Sequence, residues 1–240
     1  MYLGIIGGNG VVASNMLLKM LEEKTTKAGA YRDSHHLKCV LFQASDSPSR
    51  SMYLEGRGES FISSYRKIGK QMEYLGCTHL CITCNTAHFA FDQVLDNLKL
   101  VGINMIELTK KKVFSKYKTS QIGLIASDGS IKSMIYGSGF ILPDDKYQKI
   151  TTLGICNTKR SIRFNKKHAE HPNKLFAIVC DHLRAKGAKC IILGCTDISS
   201  SFEYKKYIHG AKKWGGVEIY DSLEILADEI LDIYFKEKQV

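Results

Sequence analysis

The chain has 240 residues and 44% hydrophobic content, enough to bury a core as one large domain or two small ones. No apolar run approaches the roughly 18–20 residues of a membrane helix, and the start Met1-Tyr2-Leu3-Gly4 lacks the basic and apolar regions of a secretory signal, so the chain reads as cytoplasmic with no membrane partner. The formal net charge is +10, but Lys110-Lys111-Lys112, Lys166-Lys167, Lys205-Lys206 and Lys212-Lys213 lie on separate segments without interleaved aromatics, which fits a solvated basic surface rather than a nucleic-acid interface.

The predicted elements begin with an apolar strand over 2–6 that ends in the tight turn Gly7-Gly8-Asn9-Gly10. A helix follows, with Ser14 as its N-cap and Met16, Leu17, Met20 and Leu21 on one face. Residues 39–42 form the next strand and 45–51 a polar loop. The spacing of Phe61, Ile62, Tyr65, Ile68 and Met72 predicts an amphipathic helix over 60–75, stopped at Gly76. A strand over 80–83 runs to Cys84, a helix covers 87–95, and a short run at 100–103 completes this half.

A helical stretch from Lys111 leads to a fresh strand at 121–126, a turn Ser127-Asp128-Gly129-Ser130 and a helix near Ile131. Residues 161–174 are polar and basic. A helix over 175–186, strands over 190–193 and 217–220, and an amphipathic helix over 222–235 close the pattern. Strands alternating with helices imply right-handed βαβ units and parallel sheets. The order restarts near residue 111, so the fold class is α/β with two similar parallel-sheet halves. Ligands of such sheets bind at the carboxyl ends of the strands, where the Gly7 to Gly10 turn, Cys84, the Ser127 to Ser130 turn and Cys195 all fall. If the halves face each other, these elements converge on one cleft.

Eight cysteines in an unsecreted chain read as reduced thiols rather than a disulfide framework. Cys39, Cys81, Cys156 and Cys190 sit in or beside apolar stretches that read as buried strands or their ends. Cys84 and Cys195 are different. Gly76 precedes Cys84 and Gly187 precedes Cys195 by the same eight residues, an apolar run lies between, and a Thr follows closely. A repeated strand that delivers one thiol per half suits chemistry on both faces of one carbon: one thiolate removes a proton beside a carboxylate and the opposite thiol returns one. Free Cys has a pKa near 8.5, which a helix N-terminus lowers. Asn85, Thr86 and Thr196 stand where they can hydrogen-bond a substrate carboxylate.

Two other readings are weaker. Cys81 and Cys84 make a Cys-x-x-Cys with His79 and His88 nearby, but alternation buries Cys81 and no second pair exists, so no metal site is expected. The opening turn lacks Gly-x-Gly-x-x-Gly because residue 13 is Ala, which argues against a nicotinamide cofactor.

Cys84-Asn85-Thr86-Ala87-His88 and Gly194-Cys195-Thr196-Asp197 resemble the paired signatures of the aspartate/glutamate racemase family. Gly4-Ile5-Ile6-Gly7-Gly8-Asn9-Gly10, the stretch Ile122-Gly123-Leu124-Ile125-Ala126-Ser127-Asp128-Gly129-Ser130 and Ile219-Tyr220-Asp221-Ser222 fall in the family's order, so the resemblance covers nearly the whole chain. It implies a cofactor-independent amino-acid racemase with two pseudo-symmetric α/β domains, 1–110 and 111–221, an active site between them and a last helix, 222–237, that packs back on the first. Family members are often homodimers, and the implied partner is a small acidic amino acid.

By that resemblance Cys84 and Cys195 are the acid/base pair. Arg50 stands where aspartate-type members carry a carboxylate-binding Arg, and Lys166, after a one-residue shift, where they carry a Lys. Asn9, Asn85, Thr86 and Thr196 complete the substrate-binding set, with Gly8, Gly10, Ser130, His88 and Asp197 in support. The chain departs from the family in Asn9-Gly10-Val11, where Met-Gly-Pro is usual, and in Asp197, where Glu is commoner. The implied activity is interconversion of L- and D-aspartate, with glutamate second. The rivals are hydantoin racemisation, maleate isomerisation and a non-catalytic basic binding protein.

Overall fold

The computed structural model describes residues 1–155, 171–202 and 213–238. They divide into two compact units, Met1–Leu108 with Leu223–Val240, and Thr109–Ser222. Among the described residues no helix is long and apolar enough to cross a membrane.

The first unit is built on a four-stranded sheet in the order β2-β1-β3-β4, parallel throughout. Its strands are β1 (Tyr2–Gly7), β2 (Lys38–Gln43), β3 (His79–Ile82) and β4 (Val101–Ile103). The two central strands carry the continuous apolar runs that a sheet covered on both faces requires. β2 lies at the edge, and that position exposes Cys39, which its apolar surroundings had suggested was buried.

Helix α1 (Val11–Lys27) begins at Gly10, whose φ of 115° is left-handed and has no side-chain cap. Ser14 is therefore not the N-cap. It is fully buried in the first turn, where its Oγ accepts from Gly8 N at 3.1 Å, donates to Gly10 O at 3.3 Å and meets Thr83 Oγ1 at 3.1 Å. The hydroxyl pins the glycine turn instead of opening the helix.

Helix α2 (Arg50–Leu54) occupies part of the expected polar loop and is capped by Ser49, whose side chain accepts from Met52 N. Helix α3 (Ile62–Tyr74) matches the predicted amphipathic helix and buries Tyr65, Ile68 and Met72, while Gly76 with φ of 85° stops the segment. The helix expected over 87–95 is split into a 3₁₀ turn, Thr86–Ala90, and α4 (Phe91–Leu95).

Helix α5 (Met105–Phe114) starts earlier than expected because Asn104 caps it: Oδ1 accepts from Ile106 N at 2.9 Å and Glu107 N at 3.1 Å.

The second unit repeats the plan. Strands β5 (Ile122–Ala126), β6 (Cys190–Gly194) and β8 (Val217–Asp221) are parallel neighbours, and the short β7 (Lys213–Trp214) adds an antiparallel edge. Ile141 bridges Gly123 in parallel, and Leu124 N and Ile141 N bond across that edge of β5, the place that β2 takes beside β1. Helix α6 (Asp128–Lys132) is capped by Ser127. Helices α7 (Asp145–Ile155), α8 (His171–Ala185) and α9 (Thr196–Ser201) complete the unit.

Helix α10 (Ser222–Lys238) belongs to the first unit's core. Leu223, Leu226, Ala227, Ile230 and Leu231 pack in one cluster with Leu3 and Ile5 of β1 and Leu17 and Leu21 of α1. Lys24 on α1 meets Asp228 at 2.6 Å and Glu224 at 3.8 Å, and Tyr234 Oη donates to His35 O at 2.9 Å. The apolar area these side chains share is the main stabilising term, and the ion pairs sit at its rim.

Candidate active site

The first cluster gathers at the carboxyl ends of β1 and β3. Gly8 has φ of 86°, and a Cβ there would lie 2.4 Å from Ala44 N, so only glycine fits the turn. The turn presents Asn9, which is 9% exposed. Asn9 Nδ2 faces Gly7 O at 3.4 Å and donates to Tyr65 Oη. Ile6 O accepts from Thr83 N at 3.0 Å, which holds the ends of β1 and β3 side by side.

Cys84 follows directly, with Asn85, Thr86 and His88 all buried around it. His88 explains the 3₁₀ turn. In an α-helix the Cys84 carbonyl would accept from His88 N; here His88 N goes to Asn85 O at 3.0 Å, and the ring takes the Cys84 carbonyl through Nδ1 at 2.8 Å. A carbonyl only accepts, so Nδ1 carries the hydrogen. Nε2 accepts from Met105 N at 3.2 Å, which leaves it bare and fixes the neutral tautomer. The ring also stacks on Phe91 at 5.0 Å. Burial drives the imidazole pKa down to about 4, against the opposing pull of the backbone acceptors. His88 is a neutral brace, not a proton carrier.

Tyr65 was legible in the sequence only as an apolar residue of α3. Its ring is fully buried against Phe61, while its hydroxyl end receives Asn9. Burial raises its pKa far above the tyrosine range, the charge of Cys84 adds to that shift, and the Arg50 guanidinium opposes it. Tyr65 thus lies within electrostatic reach of both predicted site residues. The signal available in the sequence was the residue type itself, because a buried tyrosine needs a partner for its hydroxyl.

Arg50 is the first residue of α2. Its Nη1 donates to Pro48 O at 3.1 Å, while Nε is buried and has no hydrogen-bond partner among the described residues. An orphaned guanidinium donor costs free energy unless an acceptor reaches it. A carboxylate has the fork geometry to do so.

The second cluster lies at the carboxyl ends of β5 and β6. Cys195 is half-buried at the start of α9, with Thr196 buried beside it. Ser130 is buried in α6 and bonds Ser127 through both its Oγ, at 2.9 Å, and its N. Asp128 receives Gln148 at 2.8 Å and Thr152 at 3.0 Å. Asp197 O accepts from Ser200 Oγ at 3.0 Å and from Ser201 Oγ, which ties the short helix into a tight turn. Ser199 Oγ donates to Asp221 at 2.7 Å, and Ser222 Oγ to Leu193 O at 3.0 Å.

Tyr136 stands to Cys195 as Tyr65 does to Cys84. It is fully buried, a Cβ on Gly194 would lie 3.1 Å from its ring, and burial, with Cys195 and Asp221 adding charge, raises its pKa far above normal. Each of the two thiols therefore has one buried tyrosine in reach.

Of the predicted residues, Gly8, Asn9, Gly10, Arg50, Cys84, Asn85, Thr86 and His88 come together in the first cluster, and Ser130, Cys195, Thr196 and Asp197 lie in the second unit. Lys166 and Cys156 lie outside the described residues. Cys81 is fully buried in β3, in the core cluster that holds Leu3 and Ile5. Among the described residues no group of three His, Cys, Asp or Glu side chains is placed to hold a metal ion.

The sequence matches the family described as Asp/Glu/hydantoin racemase over residues 6–230. The chain belongs to that family. It is therefore a racemase, an isomerase of amino-acid chemistry. Its relatives include the broad specificity amino-acid racemase RacX of Bacillus subtilis (strain 168), 22% identical over 170 residues that cover 68% of each protein. Its fold is similar to the Picrophilus torridus aspartate racemase, with a TM-score of 0.73 and 24% identity over 96% of this chain and 93% of that one. It is also similar to glutamate racemase RacE1 of Bacillus anthracis, with a TM-score of 0.62 and 16% identity over 98% and 82% of the two chains. The racemase therefore has the α/β architecture with parallel sheets that its strand pattern predicted.

Proposed function

We propose that this racemase interconverts L- and D-aspartate by two-base proton transfer, with Cys84 and Cys195 acting on opposite faces of the α-carbon and no cofactor taking part. The observation that carries the reading is the matched placement of the two thiols. Each follows the strand adjacent to the first strand of its sheet, β3 beside β1 and β6 beside β5, and each opens a short polar turn containing a threonine.

In this reading one cysteine enters as thiolate and removes the α-proton, and the other, as thiol, delivers a proton to the opposite face. The inverted amino acid leaves, and the two cysteines have exchanged protonation states. Asn85, Thr86 and Thr196 hold the α-carboxylate. Arg50, whose Nε has no partner among the described residues, takes the distal carboxylate together with Lys166. Proton transfer by a placed acid or base contributes perhaps 10² to 10⁴-fold, so donors that stabilise the carbanion must supply much of the remaining rate.

The test is circular dichroism of L-aspartate with the purified, reduced enzyme and no added cofactor. The signal should decay to zero with native protein and persist with Cys84→Ala or Cys195→Ser. A single-cysteine variant should still exchange the α-proton of one enantiomer with deuterium from solvent. Equal racemisation by both variants would exclude the two-base mechanism, and no decay with native protein would exclude aspartate.

A further inference from the structure

The sequence departs from its family at Asn9, and the geometry there has a chemical meaning. Gly7 O can only accept, so the amide nitrogen of Asn9 must face it, and the same nitrogen donates to Tyr65 Oη. Both contacts use Nδ2. Among the described residues Oδ1 has no partner, and it keeps contact with solvent. The backbone beneath is fixed by Ser14, which bonds Gly8 N and Gly10 O and reaches Thr83, the residue before Cys84. Asn9 is thus held by its nitrogen in a turn that Ser14 ties to the end of β3, and its oxygen is left available as an acceptor.

An oxygen of this kind repels a carboxylate and attracts a donor. Arg50, which shares Tyr65 as a neighbour, supplies the complementary preference for a carboxylate. We infer that Asn9 Oδ1 accepts a hydrogen bond from the α-ammonium of the substrate, and that Tyr65 is the positioning residue that holds the amide in that orientation. The inference rests on the aspartate reading above and sharpens it. The pair selects an amino acid over a dicarboxylate without nitrogen, and so separates racemisation of aspartate from isomerisation of maleate. A neutral amide acceptor suits this task because a carboxylate at position 9 would repel the anionic substrate.

The test compares calorimetric binding of DL-aspartate and succinate, which differ by the ammonium group; the racemic mixture avoids heat from net turnover. Native enzyme should bind DL-aspartate about ten-fold or more tightly than succinate, as expected for a hydrogen bond to a charged group. Asn9→Ala should remove that preference and leave succinate within about two-fold of its native value. Tyr65→Phe, which keeps the ring and frees the amide, should give a loss between the two and serves as the second variant where Asn9→Ala does not fold. Equal weakening of both ligands, or unchanged discrimination, overturns the inference while the circular-dichroism decay leaves the aspartate reading in place. Failure of native enzyme to bind or racemise aspartate overturns both.

Discussion

The imidazole of His88 donates through Nδ1 to the carbonyl of Cys84 at 2.8 Å, in place of the backbone N–H that an α-helix would have used. The second ring nitrogen accepts from Met105 N at 3.2 Å. One side chain thus fixes the backbone of a catalytic candidate and satisfies the first N–H of α5, and the second of these bonds requires the neutral ring, because a protonated Nε2 has no lone pair to accept with.

That requirement gives a pH signature. The imidazole titrates near 4 in the folded protein, below its ordinary value of 6.5. Between those values the unfolded chain takes up a proton that the folded one refuses, so the contribution to stability is complete above pH 6.5 and is lost as pH falls toward 4. At 1.36 kcal/mol per pKa unit the loss is about 3 kcal/mol. Chemical denaturation from pH 7 to 4.5 should show native protein losing stability more steeply than His88→Asn, with the gap between them narrowing in acid. Parallel curves would show that the ring is not held neutral.

Arg50→Lys keeps the charge but loses the planar fork. KM for aspartate should rise about ten-fold or more, and Arg50→Gln should raise it further. Steady-state racemisation of aspartate and alanine by each variant provides the check, because alanine lacks the distal carboxylate. A parallel loss on both substrates would remove Arg50 from that role.

Leu226→Ala takes a fully buried side chain out of the cluster that joins α10 to β1 and α1. The cost should be about 2–5 kcal/mol. Hydrogen exchange should locate it in the first unit, with the amides of β1 losing protection while those of β5 and β6 keep theirs. Uniform loss across both sheets would show that the units unfold together.

Much of this was readable because short-range patterns dominate it. The apolar runs of β1, β3, β5 and β6, each followed by glycine or a small polar residue, mark both the strands and the turns that carry Asn9, Cys84, Ser130 and Cys195. What was not readable depends on partners remote in sequence. Tyr65 shares the apolar spacing of α3 with Ile68 and Met72, and nothing local distinguishes it; its polar role exists because Asn9, 56 positions away, reaches its hydroxyl. Ser14 looks like a cap by composition, but the left-handed Gly10 opens the helix first and Ser14 is drawn into the turn. The split of the helix after Cys84 follows from the His88 ring and Met105, a contact across 17 positions.

The packing of α10 on β1 and α1 also sets an order of events during synthesis. Residues 1–108 leave the ribosome with an open apolar stripe on Leu3, Ile5 and Leu17, because the side chains that cover it, Leu223, Leu226 and Ile230, are translated after the entire second unit. The unit encoded first is the one completed last. Until α10 arrives, the nascent chain shows chaperones a hydrophobic surface that the finished enzyme hides.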